Sequence, residues 1–323
     1  PVSVCGYHIR ESGATPAQEI ACAILIANAY IDNVLARGHD VDAFVGRFSF
    51  NLNVFGNMWE QVAKFRAARK LWARNLKEKY NVKKPQNLFL RGLFGGGGYG
   101  LTKAQPENNI MRGAYYALVA ALSGAQTTAL CSYDEAYTIP TPHSALLSLR
   151  TLQLLMDEMG LRDTVDPLAG SYFIETLTKE MEQKIEEEMD KINKFGGIIE
   201  GVAKGYIQRL VARQAFEVEK GLESGELKKV GVNIYKEGES MEVELHEYNW
   251  ESAEKQIESL HAVKRERSEK DVTRTLKELE AATRDGKNVM PYLVACCKAY
   301  ASVGEMTGIF REIFGEFNEP SLF

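Results

Sequence analysis

The stretch Val2-Ser-Val-Cys-Gly-Tyr-His-Ile-Arg-Glu-Ser-Gly-Ala-Thr-Pro16 carries the pattern that determines the fold class. It begins with a short apolar run, Val2–Cys5, which has the length and β-branched content of a buried strand. After a polar segment, Thr15 is suited to be the N-cap of a helix whose first position is Pro16. The stretch therefore predicts one strand followed by one helix.

The same pattern recurs at intervals of roughly 40 residues up to residue 175. Strand-like runs lie at 2–5, 45–50, 87–90 and 126–131, and the amphipathic stretches that follow them lie at 15–37, 58–80, 109–122 and 144–159. Short buried runs that alternate with helices are typical of βαβ units and a parallel sheet. Residues 1–175 are thus expected to form an α/β fold, either half of a (β/α)8 barrel or a small open sheet.

Residues 176–323 have a different character. Charged amphipathic stretches at 179–194, 198–220 and 251–283 predict a mainly helical region that packs against or links other parts. Between them, the runs 230–235 and 241–245 predict two short strands. This region offers few side chains suited to catalysis.

The composition excludes several classes of protein. The chain has 39 Lys+Arg and 44 Asp+Glu, a net charge of −5, and no basic block, so nucleic acid is not an expected partner. No uninterrupted apolar run reaches the length of about 18 residues that a membrane span requires. Five cysteines without a C-x-x-C pair predict free thiols in the cytoplasm and no metal site.

Polar residues that could take part in chemistry are expected at or just past the carboxyl ends of the strands, where α/β folds bind ligands. His8 is the leading catalytic candidate because Tyr7 precedes it and Glu11 follows it; the alternative is a structural histidine bonded to backbone. Arg47, Ser49 and Asn51 alternate along one predicted strand and so face one side, toward either a polar ligand or solvent.

The glycine run 95–98 does not match a nucleotide phosphate loop, because no G-K-[ST] follows it. Residues without side chains leave space above a sheet, so a ligand or another part of the backbone can approach closely. The adjacent carboxylates Asp134 and Glu135 suit an acid/base pair, but also an N-cap beside a solvated charge.

Taken together, these segments resemble the large subunit of methylmalonyl-CoA mutase and the adenosylcobalamin-dependent acyl-CoA mutases. The resemblance covers nearly the whole chain. The segments that carry it are Ser3-Val-Cys-Gly-Tyr-His-Ile-Arg-Glu-Ser-Gly-Ala-Thr15, Arg47-Phe-Ser-Phe50, Ala63-Lys-Phe-Arg-Ala-Ala-Arg-Lys-Leu-Trp-Ala73, Gln105-Pro-Glu-Asn-Asn-Ile110, Ser132-Tyr-Asp-Glu-Ala136, Val165-Asp-Pro-Leu-Ala-Gly-Ser-Tyr172 and Gly231-Val-Asn-Ile-Tyr235.

The resemblance implies a partial (β/α)8 TIM barrel of about four βα units, the second half of a barrel that surrounds the CoA chain, followed by a helical linker region. It implies an isomerase, an intramolecular transferase that rearranges the carbon skeleton of an acyl-CoA of the methylmalonyl-CoA/succinyl-CoA type. The implied cofactor is adenosylcobalamin, bound jointly with a separate cobalamin-binding domain or small subunit.

The resemblance also assigns roles to individual residues. His8 matches the histidine that hydrogen-bonds the thioester carbonyl, and Tyr7 matches the tyrosine beside it. Glu11 and Glu135 match two carboxylates near the ribose of the adenosyl group. Gly98 matches a glycine of the family's His-x-Gln-Thr-x-Gly segment, near the cofactor.

The substrate contacts implied by the resemblance are Arg47, Ser49 and Gln126, which match polar contacts to the CoA thioester and its pantetheine arm. The chain departs from the family at two positions: Leu93 replaces a histidine and Gly95 replaces a glutamine. Both changes make the pocket larger and less polar. The expected substrate is therefore bulkier or more apolar than methylmalonyl-CoA, for example an alkyl- or aryl-substituted succinyl-CoA.

Two signatures of the family have no match here, namely the arginine that grips the substrate carboxylate and the Asp-x-His-x-x-Gly motif whose histidine binds cobalt. The chain is therefore expected to act with an upstream barrel half and a cobalamin-binding subunit. Half a barrel leaves strand edges unpaired, so the isolated chain is expected to be poorly soluble or oligomeric. The alternative is a non-catalytic subunit that binds an acyl-CoA or supports a partner.

Overall fold

Strands and helices alternate along the first half of the chain, as the sequence predicts. The computed structural model describes residues 2–236 and 243–320. They fall into two compact units, one made of residues up to His246 together with Pro320, and the other spanning Glu247–Glu319. The first unit contains β1 (Val2–Cys5), α1 (Tyr7–Glu11), α2 (Pro16–Ala36), α3 (Val41–Phe44), β2 (Phe48–Val54), α4 (Met58–Glu78), β3 (Gly92–Gly96), α5 (Asn108–Leu122), β4 (Thr127–Leu130), α6 (Pro142–Asp157), α7 (Tyr172–Phe195), α8 (Gly197–Ala203) and α9 (Tyr206–Ser224).

The four strands form one parallel sheet in the order β1-β2-β3-β4, so each strand pairs with the next one along the chain. The register places Val4 opposite Phe50, Phe50 opposite Gly92, and Leu93 opposite Thr127. The predicted α/β class and parallel sheet are confirmed.

The two faces of this sheet differ in polarity, because apolar and polar residues alternate along the strands and successive side chains point to opposite faces. In β2, Phe48, Phe50, Leu52 and Val54 are buried in the core. On this covered face the ring of Phe94 stacks on Phe65 of α4, with ring centroids 4.0 Å apart. The opposite face is called here the bare face; its residues toward the amino ends of the strands are partly or fully exposed, among them Ser3, Ser49, Asn51, Leu93 and Thr127.

Two of the predicted strands are wrong in position. Residues Val45–Arg47 form a 3-10 turn and β2 begins at Phe48, so Arg47 does not share a strand with Ser49 and Asn51. Residues 87–90 are not a strand; Pro85–Asn87 is a 3-10 turn, and β3 lies within the glycine-rich segment instead. Glycine is a poor strand former, but here the pairing with β2 requires it, since a Cβ atom at Gly92 would lie 2.5 Å from the carbonyl oxygen of Phe50.

Helices α2 and α4 build the core on the covered face. Helix α2 starts with a full capping box, in which Thr15 accepts from the Gln18 N–H and the Gln18 side chain accepts from the Thr15 N–H. By length and composition alone α2 could cross a membrane, but more than half of its apolar window is buried within this unit. Helix α7 packs on α2 and α4, so the first unit continues past residue 175.

The second unit is entirely helical within its described residues. It contains α10 (Trp250–Glu266), α11 (Glu269–Arg284), α12 (Met290–Lys298) and α13 (Val303–Phe314). The predicted helical stretch 251–283 is divided at Ser268, whose hydroxyl caps α11. Its core consists of Val272, Leu279, Cys296, Ala301 and Met306.

The two strands predicted between the helical stretches are not found in the described residues. The segment 230–235 is a turn with a single bridge between Val230 and Ile234. Residues 243–245 have no regular structure, and Met241 and Glu242 lie outside the described residues. All five cysteines are free thiols, as predicted.

Candidate functional site

Helix α1 carries three of the candidate site residues. It begins two residues after β1 ends, so Tyr7, His8 and Glu11 lie on a short helix rather than on a strand end. Tyr7 and Glu11 are four residues apart and therefore share one side of this helix. The helix brings both side chains to the carboxyl end of the sheet, beside β2 and β3.

Glu11 is held between β2 and the loop after β3. One carboxylate oxygen accepts a hydrogen bond from the side-chain amide of Asn53, and the other accepts the backbone N–H of Tyr99 at 2.9 Å. A Cβ atom at Gly97 would overlap both Glu11 and Asn53. The space predicted above the glycine run is thus occupied at Gly97 by the protein's own side chains, and glycine is what allows the carboxylate to approach.

Glu135 meets Glu11 at Gly98. A Cβ atom built on Gly98 would lie 3.3 Å from Glu135 Cγ and 3.6 Å from Glu11 Oε2. Burial, the neighbouring Asp134 and the Glu11 carboxylate all raise the pKa of Glu135. Asp134 itself is buried, and neither of its carboxylate oxygens has a partner among the residues that the structure describes. The glycine is therefore flanked by two carboxylates, one at the end of α1 and one from the loop after β4.

Tyr7 lies near Glu11, whose charge contributes to the raised pKa of the phenol, and His8 follows Tyr7 on α1. The His8 ring is exposed, and its Nδ1 lies 3.3 Å from the sulfur of Cys5. The Tyr7 ring meets it edge to face at 5.7 Å and covers Gly95, where a Cβ atom would lie 3.6 Å from Tyr7 Cε2. Burial is the main cause that raises the pKa of Tyr7, so its phenol is neutral. An exposed imidazole therefore lies next to a partly buried phenol.

The comparisons with known proteins identify the family of the chain. The sequence model of the family described as methylmalonyl-CoA mutase matches residues 1–316. The chain belongs to the methylmalonyl-CoA mutase family. Its relatives include the 2-hydroxyisobutanoyl-CoA mutase large subunit of Aquincola tertiaricarbonis, 36% identical over 325 residues that cover 100% of this chain and 58% of that protein.

Other relatives carry the family name itself, and two of them are bacterial examples. The methylmalonyl-CoA mutase of Rhizobium meliloti is 34% identical over 318 residues, covering 98% of this chain and 44% of that protein. The Escherichia coli methylmalonyl-CoA mutase is 30% identical over 321 residues, covering 99% and 45%. The chain spans about half the length of these relatives. The predicted family is confirmed.

The candidate residues of this methylmalonyl-CoA mutase family member do not all lie at the same end of the sheet. Arg47 and Ser49 lie at the amino end of β2, and Gln126 immediately precedes β4. The prediction that Arg47 and Ser49 lie at the carboxyl end of their strand is therefore wrong, because β2 continues to Val54. At about 3.3 Å per residue, the four-residue interval from Ser49 to Asn53 corresponds to about 13 Å along the strand.

Leu93 and Gly95 lie on the bare face, Leu93 near the middle of the sheet and Gly95 at its carboxyl end. They pair with Asn51 and Asn53 of β2 on one side, and with Thr127 and Ala129 of β4 on the other. Leu93 is partly exposed, whereas Gly95 is buried beneath Tyr7. Of the two positions expected to depart from the family pattern, Gly95 thus lies against the Tyr7 ring.

Two asparagines of the site, Asn53 and Asn109, were not predicted from the sequence. Asn53 continues the polar alternation of β2 and could have been found from it. Asn109 is buried on α5, and its side-chain amide donates to the carbonyl oxygens of Thr102 at 2.8 Å and Tyr133 at 2.9 Å. It thereby links the loop after β3 to the loop that carries Glu135, a role that its sequence position alone does not indicate.

Proposed function

We propose that this chain is part of an adenosylcobalamin-dependent acyl-CoA mutase, an isomerase that rearranges the carbon skeleton of an acyl-CoA by radical chemistry. The observation that carries this proposal is the meeting of Glu11 and Glu135 at Gly98, beside Tyr7 and His8. Members of the family with methylmalonyl-CoA mutase and 2-hydroxyisobutanoyl-CoA mutase names support the same reaction class.

The carboxylate pair fits the hydroxyl groups of an adenosyl ribose. Each carboxylate offers about four acceptor positions, and the contacts from Asn53 and Tyr99 leave part of the capacity of Glu11 free. In this proposal Glu11 and Glu135 hold the ribose, and Gly98 lets it approach the backbone. When bound, adenosylcobalamin supplies the radical chemistry.

His8 is the proposed donor to the thioester carbonyl. In the proposed tautomer, Nδ1 of His8 accepts the S–H of Cys5, whose sulfur lies 3.3 Å away. The remaining proton then lies on Nε2, where it donates to the substrate oxygen. Tyr7 restrains the imidazole ring through its edge contact and excludes water from that side.

The bare face is the proposed path of the CoA chain. An extended pantetheine arm that lies along the strands would pass Ser49, Arg47 and Gln126 at one end and reach His8 at the other. At the acyl end, Leu93 offers apolar surface and Gly95 has no side chain, which favours an alkyl- or aryl-substituted succinyl-CoA. The Tyr7 ring over Gly95 takes up part of the added space.

The proposed partners are an upstream barrel half and a cobalamin-binding domain or small subunit, in a cytoplasmic oligomer. In the described residues, β1 and β4 are the edge strands of the sheet, each paired with one neighbour. Their outer edges are therefore available to the other strands of a TIM barrel. The name of the Aquincola relative, a large subunit, supports the expectation of a small one.

The test is reconstitution with the barrel half and the cobalamin subunit, followed by turnover of a series of acyl-CoAs. His8→Ala should slow isomerisation about 10²–10³-fold, the effect of losing one such donor. His39→Ala, at an exposed histidine after α2, should leave the rate unchanged. An unchanged rate in His8→Ala would reduce that residue to a structural role.

Turnover of the acyl-CoA series also tests the proposed substrate range and the catalytic role of the chain. Efficient isomerisation of methylmalonyl-CoA, with no activity on longer acyl chains, would overturn the bulkier substrate. If no acyl-CoA produces a cob(II)alamin signal in a complex that binds both ligands, the chain is a non-catalytic subunit.

A further inference from the structure

Three buried polar residues that the proposed reaction does not use lie directly behind Glu11. They are Glu19 on α2, Lys64 on α4 and Asn53 on β2, and each is completely buried, with 0% exposure. Charged groups are almost never fully buried unless they are paired, because desolvation of each ion is costly. A buried pair next to a candidate ligand-binding carboxylate therefore requires an explanation.

The pair is joined to the main chain of Asn53. Lys64 Nζ lies 2.7 Å from Glu19 Oε2 and also donates to the Asn53 carbonyl oxygen. The other oxygen of Glu19 accepts the Asn53 N–H at 2.7 Å. Both contacts go to backbone atoms, so α2 and α4 together fix the position of residue 53 whatever side chain it carries.

The side chain of Asn53 extends from this fixed point to Glu11. Its amide group donates to Glu11 Oε1, and its own oxygen is buried without a partner among the described residues. Gly97 closes the other side, since a Cβ atom there would overlap both groups. Glu11 is half-buried, so without the amide it could turn toward solvent and lose the orientation set by the Tyr99 N–H.

We propose that Asn53, fixed in place by the buried Glu19–Lys64 pair, is a positioning residue that aims the Glu11 carboxylate at the cofactor's adenosyl group. This inference rests on the proposed function, in which Glu11 holds the ribose. The contact with Asn53 would preorganise the site, because a carboxylate that a rigid neighbour already orients loses less conformational entropy when the ligand binds.

The test compares two cobalamins in the reconstituted enzyme, measured by absorbance titration rather than turnover. Adenosylcobalamin carries the adenosyl group, whereas hydroxocobalamin lacks it. Asn53→Ala removes the amide donor, Asn53→Asp replaces it with a carboxylate that repels Glu11, and both keep the backbone contacts. Asn53→Ala should weaken adenosylcobalamin binding about 10-fold, the loss of one hydrogen bond to a charged group, and Asn53→Asp should weaken it at least as much; both should leave hydroxocobalamin binding unchanged.

Two further variants distinguish the possible outcomes. Asn28→Asp is the matched control, because Asn28 is a buried asparagine on α2 that pairs with Asn75; it should not change the ratio of the two affinities. Glu11→Ala tests the proposed function itself and should weaken adenosylcobalamin binding selectively.

The outcomes separate the two proposals. If Glu11→Ala acts selectively but the Asn53 variants do not, or if the Asn53 variants weaken both cobalamins equally, the positioning role is overturned. If Glu11→Ala has no selective effect, the assignment of Glu11 is wrong, and the positioning role is overturned with it.

Discussion

The two faces of the parallel sheet differ in how deeply their side chains are buried and in what they pack against. On the covered face, Phe50 and Phe94 are each 2% exposed and pack against aromatic side chains of α4. On the bare face, Ser49 and Thr127 are exposed and Leu93 is only partly covered. Parallel sheets are normally covered on both faces, so the bare face is a surface that another chain segment or a ligand is suited to cover. One face supplies stability, and the other is available for chemistry.

The difference between the faces disappears at the carboxyl end of the sheet. There Asn53 and Gly95, which belong to the bare face by register, are buried under α1. The buried Glu19–Lys64 pair holds Asn53 from the covered side, while Glu11 meets it from the bare side. The candidate site thus lies where buried residues of the core contact residues of the bare face.

The largest effect on stability is expected on the covered face. Phe94→Ala removes a fully packed ring that stacks on Phe65, so the free energy of unfolding should fall by about 3–5 kcal/mol. Urea unfolding followed by circular dichroism measures this. Phe89→Ala is the matched control, because Phe89 is 63% exposed and its loss should change stability by less than about 0.5 kcal/mol. Equal effects of the two variants would contradict the assignment of the core to this face.

An intermediate effect is expected where the two faces meet. In Gly97→Ala the added methyl group overlaps Glu11 and Asn53, which should lower the unfolding free energy by about 1–3 kcal/mol and displace the carboxylate. Gly113→Ala on α5 is the control, since its Cβ would lie 3.7 Å from Leu130, an ordinary contact. If Gly97→Ala were as stable as Gly113→Ala and bound adenosylcobalamin normally, the close packing around Glu11 would not matter.

The smallest effect on stability is expected on the bare face. Ser49→Ala should change the unfolding free energy by less than about 0.5 kcal/mol, because its side chain is exposed. If Ser49 contacts the pantetheine arm, the KM for acyl-CoA in the reconstituted enzyme should rise about fivefold, with kcat unchanged. Ser224→Ala, at an exposed serine ending α9, should alter neither quantity. A KM that stays the same in Ser49→Ala would move the substrate path away from this strand.

The four long helices predicted at 15–37, 58–80, 109–122 and 144–159 were predictable to within about two residues, whereas the position of β3 was not. Capping residues such as Thr15 and Asn57 act on their own helix, so a local pattern identifies where the helix begins. The segment Gly92–Gly96 has almost no strand propensity of its own and becomes a strand only between β2 and β4. The helix caps and the site differ in the same way. A cap bonds to its own helix, whereas Asn53 and Asn109 bond to residues that are distant in sequence.

By itself, the amino-acid sequence determined the alternation of strands and long helices in residues 1–159, the polar alternation of β2 and membership of the methylmalonyl-CoA mutase family. Only the tertiary structure decided which polar groups meet. Glu11 lies 42 residues from Asn53 and 88 from Tyr99 along the chain, yet it bonds to both. Propensities and caps act over a few residues, whereas these contacts exist only because the sheet pairing and the packing of α2 and α4 bring distant segments together.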